Sequence, residues 1–311
     1  MQLQKFGRVA LGCMLAFATL PAIAMPAEAE TYMHENGTAD FKTAPTRFAV
    51  TNWSLTESLL ALGIAPVGIP DADGYRDWVV EPPLPDDFTN LGTRTEPNFE
   101  ALRDSKPDAI LISSDLGMAY EKLGDIAPTL VYSIYNRSGP AFDHAEDLLR
   151  KLGALTGNSD KAEEVIANAN ARIASAGERI TKVMGKGRKI AIVRIIDDAN
   201  FRIHGDTSLF GSVLARMGLE NAWKGQVNSW SFHLGGIADL AKIGDAELAY
   251  IEPVAPTVKA KLFASPLWKT LPFVRSNHVH AIPSSWTFGG VLAGARFAEQ
   301  LADAIEASAN P

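Results

Sequence analysis

Arg94 stands in the segment TRTEPN (93–98), just ahead of a short helix signal. Pro97 fixes its own φ and keeps Glu96 out of the helical region. Asn98 is a good cap for a helix over about 99–106, so Arg94 belongs to the loop before it. A guanidinium there offers several donors in a fixed plane, suited to clustered ligand oxygens; as an ordinary solvated loop cation it would bind nothing. The run DAILIS (108–113) reads as a parallel strand buried on both faces. SDLG then breaks it at the carboxyl end, where open α/β sheets collect ligands. Trp53 follows an earlier strand, and Trp78, Trp230 and Trp286 fall in loop-like or strand-end stretches. Large flat side chains at such places line a shallow apolar cleft or pack a core. Trp223 and Trp268 have apolar neighbours in helix-adjacent segments and read as core.

Other chemistries find less support. The chain has no G-x-S-x-G, H-E-x-x-H or G-x-G-x-x-G pattern, and MGKGRK (184–189) lacks the preceding glycine of a phosphate loop. An enzyme is therefore left without a motif, though not excluded. None of the six histidines (His34, His144, His204, His233, His278, His280) falls at the first-half strand ends, which disfavours a zinc or manganese cleft. His278 and His280 alternate on one strand face, and only His233, by its nearness to Trp230, comes close to the expected cleft. Asp197 and Asp198 end IAIVRII; they could hold a metal or form a solvated turn.

The elements that would position these residues alternate between strand and helix, the mark of an α/β fold. First-half strands are expected at 47–52, 66–69, 108–113 and 129–133, with helices at 54–62, after Pro97 and at 119–127. The second half repeats the scheme, with strands at 189–196, 201–205, 247–251 and 278–282 and helices near 208–217, 237–243, 255–263 and 291–308. Between them, Ala162, Ile166, Ala169, Ile173, Ala176, Ile180 and Val183 recur at spacings of four and three. They make one apolar stripe on a helix over 160–183, with Asp160 and Glu163 as cap and capping partner. The organisation expected is a leader (1–29), an amino-terminal lobe (30–158), a rigid connecting helix (159–185) and a carboxyl-terminal lobe (186–311). A packed rod predicts small changes in lobe orientation when a ligand binds.

With 47% hydrophobic and 21% charged residues, the 311-residue chain has a soluble, globular composition. Its net charge of −7 disfavours a nucleic-acid partner. Lys5 and Arg8, the apolar run from Val9 to about Leu20, and small residues before Ala24 and Ala29 read as a secretory signal cleaved at one of those two sites. The run is too short for a comfortable membrane span, and no later segment approaches one. Cys13, the only cysteine, lies inside that run, where ALG poorly fits a lipoprotein box. The mature chain would be cysteine-free, without disulfides or thiol chemistry.

The stretches HENGTADFKTAPTRFAVTNWSLTESLLALGIAPVGI (34–69), GTRTEPNFEALRDSKPDAIL (92–111) and IAPTL (126–130), with the lone long helix, resemble the periplasmic substrate-binding proteins of iron-siderophore ABC importers. YRDWVVEPPLPDDFTNLGTRTEPNFE (75–100), SLFGSVLARMGLENAWKGQVNSW (208–230) and SPLWKTLPFVRSNHVHAIPSSWTFGG (265–290) look most like the ferric hydroxamate-binding members. The resemblance implies two Rossmann-like lobes on one helix, no catalysis, no cofactor and no direct metal ligand. The ligand would be an iron(III)-siderophore held between the lobes, and the partner an ABC permease with its ATPase. It places Arg94 on the oxygens around the iron and sets Trp230 and Trp286 across the cleft from it. The family tyrosine after the third strand is replaced by Leu116, which removes a hydroxyl donor to the hydroxamate oxygens; Tyr120, in the next helix, is the alternative hydroxyl, and Asp115 either favours a cationic ligand or caps the helix. Glu121 and Glu252 are the residues expected to meet the permease.

Overall fold

Each half of the chain builds one sheet, mostly from strands apolar on both faces. The computed structural model describes residues 30–135 and 138–309. The expected leader, Cys13 and the cleavage sites after Ala24 and Ala29 lie outside the described residues. Among the described residues no helix is long and apolar enough to cross a membrane.

A hairpin of β1 (Glu30–His34) and β2 (Gly37–Phe41) precedes the first sheet. That sheet is parallel and runs β5-β4-β3-β6-β7, from β3 (Phe48–Val50), β4 (Gly68–Ile69), β5 (Thr89–Asn90), β6 (Ala109–Ile112) and β7 (Thr129–Val131). Its order reverses beside β3, so the loops after β3 and β6 diverge and leave a crevice at their carboxyl ends. Asn52 and Ser113 face each other there, the amide donating to the hydroxyl at 3.0 Å.

The second sheet contains β8 (Lys189–Ile195), β9 (Phe201–His204), β10 (Glu220–Asn221), β11 (Phe232–Gly235), β12 (Glu247–Ile251) and β13 (Val279–Ile282). Its order is β11-β9-β8-β12-β13, with β10 also paired to β8. The expected repetition of the first half fails on one side, where β9 and β11 run antiparallel. Five residues, 196–200, separate β8 from β9, far too few for the crossover that parallel strands need.

The connecting helix is Ser159–Met184, 26 residues or about 39 Å long. Its stripe is buried from Ala162 to Ile180, whereas Val183 stays partly exposed. The cap expected of Asp160 and Glu163 is not formed. The helix starts after Asn158 with no side-chain cap, and Glu163 pairs instead with Arg150 at 2.7 Å. That arginine belongs to Ala141–Leu155, a helix absent from the expected scheme although Phe142, Ala145, Leu148, Leu149, Leu152 and Leu155 carry its periodicity. The long helix lies against the carboxyl-terminal helix Val291–Ala309, joined to it by Arg172–Glu299 and Arg179–Glu306 ion pairs. One apolar core runs through both halves, including Phe48 and Val50 of β3, Ile190 and Ile192 of β8, and Ile282 of β13.

A charged group sits inside this junction. Glu57, on the helix Trp53–Ala61, is 1% exposed and accepts hydrogen bonds from the backbone N–H groups of Gly290 and Ala293, both at 2.9 Å. Those donors, at the start of the carboxyl-terminal helix, favour the anion. Burial outweighs them and pushes the Glu57 carboxyl up to about 7.

Candidate functional site

Arg94 is delivered by a tight loop. Gly92 bridges to Pro97, Glu96 N–H donates to Thr93 Oγ1 at 3.0 Å, and the Asn98 side chain caps the helix Phe99–Asp104 through the N–H groups of Glu100 and Ala101. The guanidinium lies 3.9 Å from the centre of the Trp53 ring and 4.7 Å from that of Trp286. It is thus seated between one aromatic of the first half and one of the second. Asp71 touches it at 3.4 Å, and the arginine side chain keeps 31% of its surface exposed. An open pair of this kind contributes about 0–1 kcal/mol; it uses only Nε, and the side chain lines both of the cavities that adjoin it. Trp53 itself is buried, its indole N–H bonded to the Pro70 carbonyl at 3.2 Å. It is a platform for Arg94 more than an open wall. Gly74 makes room for it: a Cβ there would meet the Trp53 ring at 2.5 Å.

Two cavities adjoin at Arg94, Arg202 and Trp286. The first, about 430 Å³, is lined on one side by Asn52, Ser113 and Asp115 and on the other by Trp230, Phe232 and Phe288. Its aromatic wall is continuous: Trp286 and Phe288 are 5.5 Å apart, Phe288 and Trp230 5.1 Å, and Tyr135 and Phe288 5.0 Å. Tyr135 is fixed by donating to the Thr287 carbonyl at 2.8 Å, and burial holds its phenol well above the usual range. Ser113 contacts the Asp115 carboxylate through its hydroxyl. The second cavity, about 500 Å³, contains Asp71, Trp78, Arg194 and Val254. A larger concavity of about 890 Å³ runs along the end of the long helix from Gly177 to Gly187. It carries no aromatic side chain and mixes Glu178, Lys182, Asp206, Glu220 and Lys224, the character of a solvated surface groove.

Of the expected site residues, the fold brings together Arg94, Trp53, Trp78, Trp230 and Trp286 around these cavities. Leu116 is not among them, a correction to its expected place on the ligand. Only 9% exposed, it packs in the first-half core beside Leu123, because the turn after β6 directs Ser113 and Asp115 to the cavity instead. Tyr120 packs near His34, with ring centres 6.0 Å apart, and does not replace the missing hydroxyl at the cavity. His233 stacks on Trp223 at 4.8 Å, away from the cleft it was expected to approach. Asp197 closes a turn by accepting from Ala199 and Asn200, and no group of three or more potential metal ligands occurs among the described residues. Glu121 is exposed at the start of its helix. Glu252 does not offer a free carboxylate: it accepts from Val254 N–H at 2.6 Å and pairs with Lys259.

Arg194 and Arg202, like Tyr135, Phe232 and Phe288 of the aromatic wall, are residues that sequence reasoning missed. The two arginines face each other across the antiparallel pair of β8 and β9. Arg194 rests on Trp78 at 4.1 Å and Arg202 on Phe232 at 5.0 Å. The available signal was the short spacing in VRIIDDANFRIHG (193–205), which makes a hairpin and sets the two arginines on one face.

The family model described as "Periplasmic binding protein" matches residues 48–286. The iron(3+)-hydroxamate-binding protein FhuD of Escherichia coli strain K12 is 33% identical over 261 residues, covering 84% of this chain and 87% of that protein. The Fe(3+) dicitrate-binding periplasmic protein FecB of the same organism is 26% identical over 91% of this chain and 92% of its own. Among solved structures, the Fe3+-Desferal-bound siderophore-binding protein FhuD of Vibrio cholerae superposes with a TM-score of 0.79 at 28% identity, covering 85% of this chain and 98% of that one. Two lobes on a long helix, a crevice where the first sheet's order reverses, and these matches together establish that the chain belongs to the periplasmic binding protein family.

Proposed function

We propose that this protein captures a ferric siderophore, of hydroxamate type, in the interlobe cleft and hands it unchanged to an ABC permease with its ATPase. The observation that carries the reading is Arg94, seated between Trp53 and Trp286 with donors open to an aromatic-walled cavity. A volume of about 430 Å³ suits a small-molecule ligand. A siderophore surrounds its iron with oxygen atoms, so the protein needs donors to those oxygens and apolar surface for the rest, and no metal ligand of its own. Similarity to FhuD supports the hydroxamate class. On this reading the leader directs the chain to the periplasm. Glu121 is the first-lobe contact proposed for the permease, and Glu252 is a poor second-lobe candidate because its carboxylate is engaged.

The test is tryptophan fluorescence of the mature protein titrated with iron-loaded and iron-free ferrichrome, ferrioxamine B and coprogen, against ferric citrate, haem, cobalamin and zinc. The expected result is saturable quenching at micromolar or lower concentration by an iron-loaded hydroxamate. Binding of a control in place of the hydroxamates would move the ligand to that class. If nothing binds, the binder reading is lost and an enzyme must be sought.

A further inference from the structure

The second cavity is charged in a way that the first does not require. Its lining includes three guanidiniums, Arg94, Arg194 and Arg202, against the single carboxylate of Asp71, which already touches Arg94. Arg194 and Arg202 stand directly opposite on neighbouring antiparallel strands, a placement that is unfavourable for like charges. Among the described residues neither forms an ion pair, and Arg202 Nε is buried without a hydrogen-bond partner. Burial and the nearby Arg202 both act against the charge on Arg194. The aromatic rings of Trp78 and Phe232 hold the two side chains in place but neutralise nothing. Side-chain alternation along β8 puts Arg194 on the same face as Ile190 and Ile192, the face that joins the core running through both halves. An arrangement of this kind becomes favourable when an anion enters.

We propose that Arg194 and Arg202, with Arg94 opposite, form a carboxylate subsite, and that the protein selects ferric hydroxamates bearing a free carboxylate beside the iron-binding groups. The proposal rests on the binding reading above. The chelate body occupies the aromatic cavity, and its anionic arm passes Arg94 and Trp286 into the second. Planar guanidiniums suit such an arm because each presents paired N–H donors to a carboxylate.

The test compares ferrioxamine B acylated on its terminal amine with either an acetyl or a succinyl group. The two ferric complexes share the iron centre and differ chiefly by one carboxylate. Titration of the mature protein is expected to show the succinyl complex binding at least tenfold more tightly, with the preference shrinking as salt is raised. Arg194→Gln and Arg202→Gln, made singly, are each expected to reduce the preference to less than threefold; Arg194→Gln, at a side chain that lines only the second cavity, is also expected to leave the acetyl complex bound as before, which demonstrates an intact cleft. Equal affinities in the parent protein, or a preference that survives both substitutions, would overturn the subsite and leave the hydroxamate reading standing. Iron-free citrate is the third arm: it is expected to compete with the succinyl complex and not with the acetyl complex, and equal competition with both would place the anion in the aromatic cavity and overturn the subsite. Binding of neither complex would overturn the hydroxamate reading and the subsite with it.

Discussion

Arg94 gains its position from contacts that cost the protein little to lose. It stacks on two indoles and makes one water-exposed pair with Asp71, so its removal leaves no buried charge behind. Arg94→Ala is therefore expected to weaken binding of the ferric hydroxamate at least tenfold, about 1.4 kcal/mol or more, with an unchanged thermal midpoint. Fluorescence titration and a melting curve on the same sample check both halves. A variant that binds as the parent does would end the role assigned to Arg94. At this scale the sequence was informative where a residue's own loop chemistry decides its place, as with Pro97 and Asn98 around Arg94. It was misleading at Leu116 and Glu252, whose neighbours come from packing and turn geometry.

At the scale of elements, two junctions set the fold's tolerances. Glu57 joins the helix Trp53–Ala61 to the start of the helix Val291–Ala309. Arg296, Tyr75 and Tyr135 are the other titratable groups whose charges couple to it. Its carboxyl is raised from 4.5 to about 7, so the folded state holds a proton that the unfolded chain releases. The stability this contributes is complete below pH 4.5 and lost as pH rises through 7, a change on the order of 3 kcal/mol. His204 acts in the opposite sense: burial lowers it to about 3, and its contribution is lost as pH falls below 6.5. Because the two overlap, the difference between parent and Glu57→Gln isolates the first. Thermal unfolding from pH 4.5 to 8 should show the variant gaining on the parent as pH rises, whereas parallel profiles would contradict the assignment. The second junction is Gly177, on the long helix, where a Cβ would lie 2.2 Å from the Met217 carbonyl oxygen. Gly177→Ala is expected to cost about 1–3 kcal/mol in denaturant unfolding, since backbone must move to admit the methyl.

For the whole molecule, the long helix does not stand alone between two lobes. It packs along the carboxyl-terminal helix, and a single core passes from the first sheet to the second. Large hinge motion would have to open that core. Solution scattering of the mature protein is accordingly expected to show a radius of gyration that changes by less than about 1 Å when the ferric ligand saturates it. A change of several ångströms would mean that the junction yields.

Sequence alone determined the alternation of strands and helices, the long apolar stripe, the loop holding Arg94 and the membership suggested by its motifs. All are local, written in residues a few positions apart whose periodicity or turn chemistry has one favourable outcome. Tertiary structure alone decided that Trp53 lies beneath Arg94 while Leu116 turns into a core, that Glu57 meets a helix start more than 230 residues away, and that Arg194 and Arg202 share one wall of the cleft. Those placements depend on which strand lies beside which and which face turns inward, and chain neighbours do not encode that choice because it is made by burial summed over the whole core.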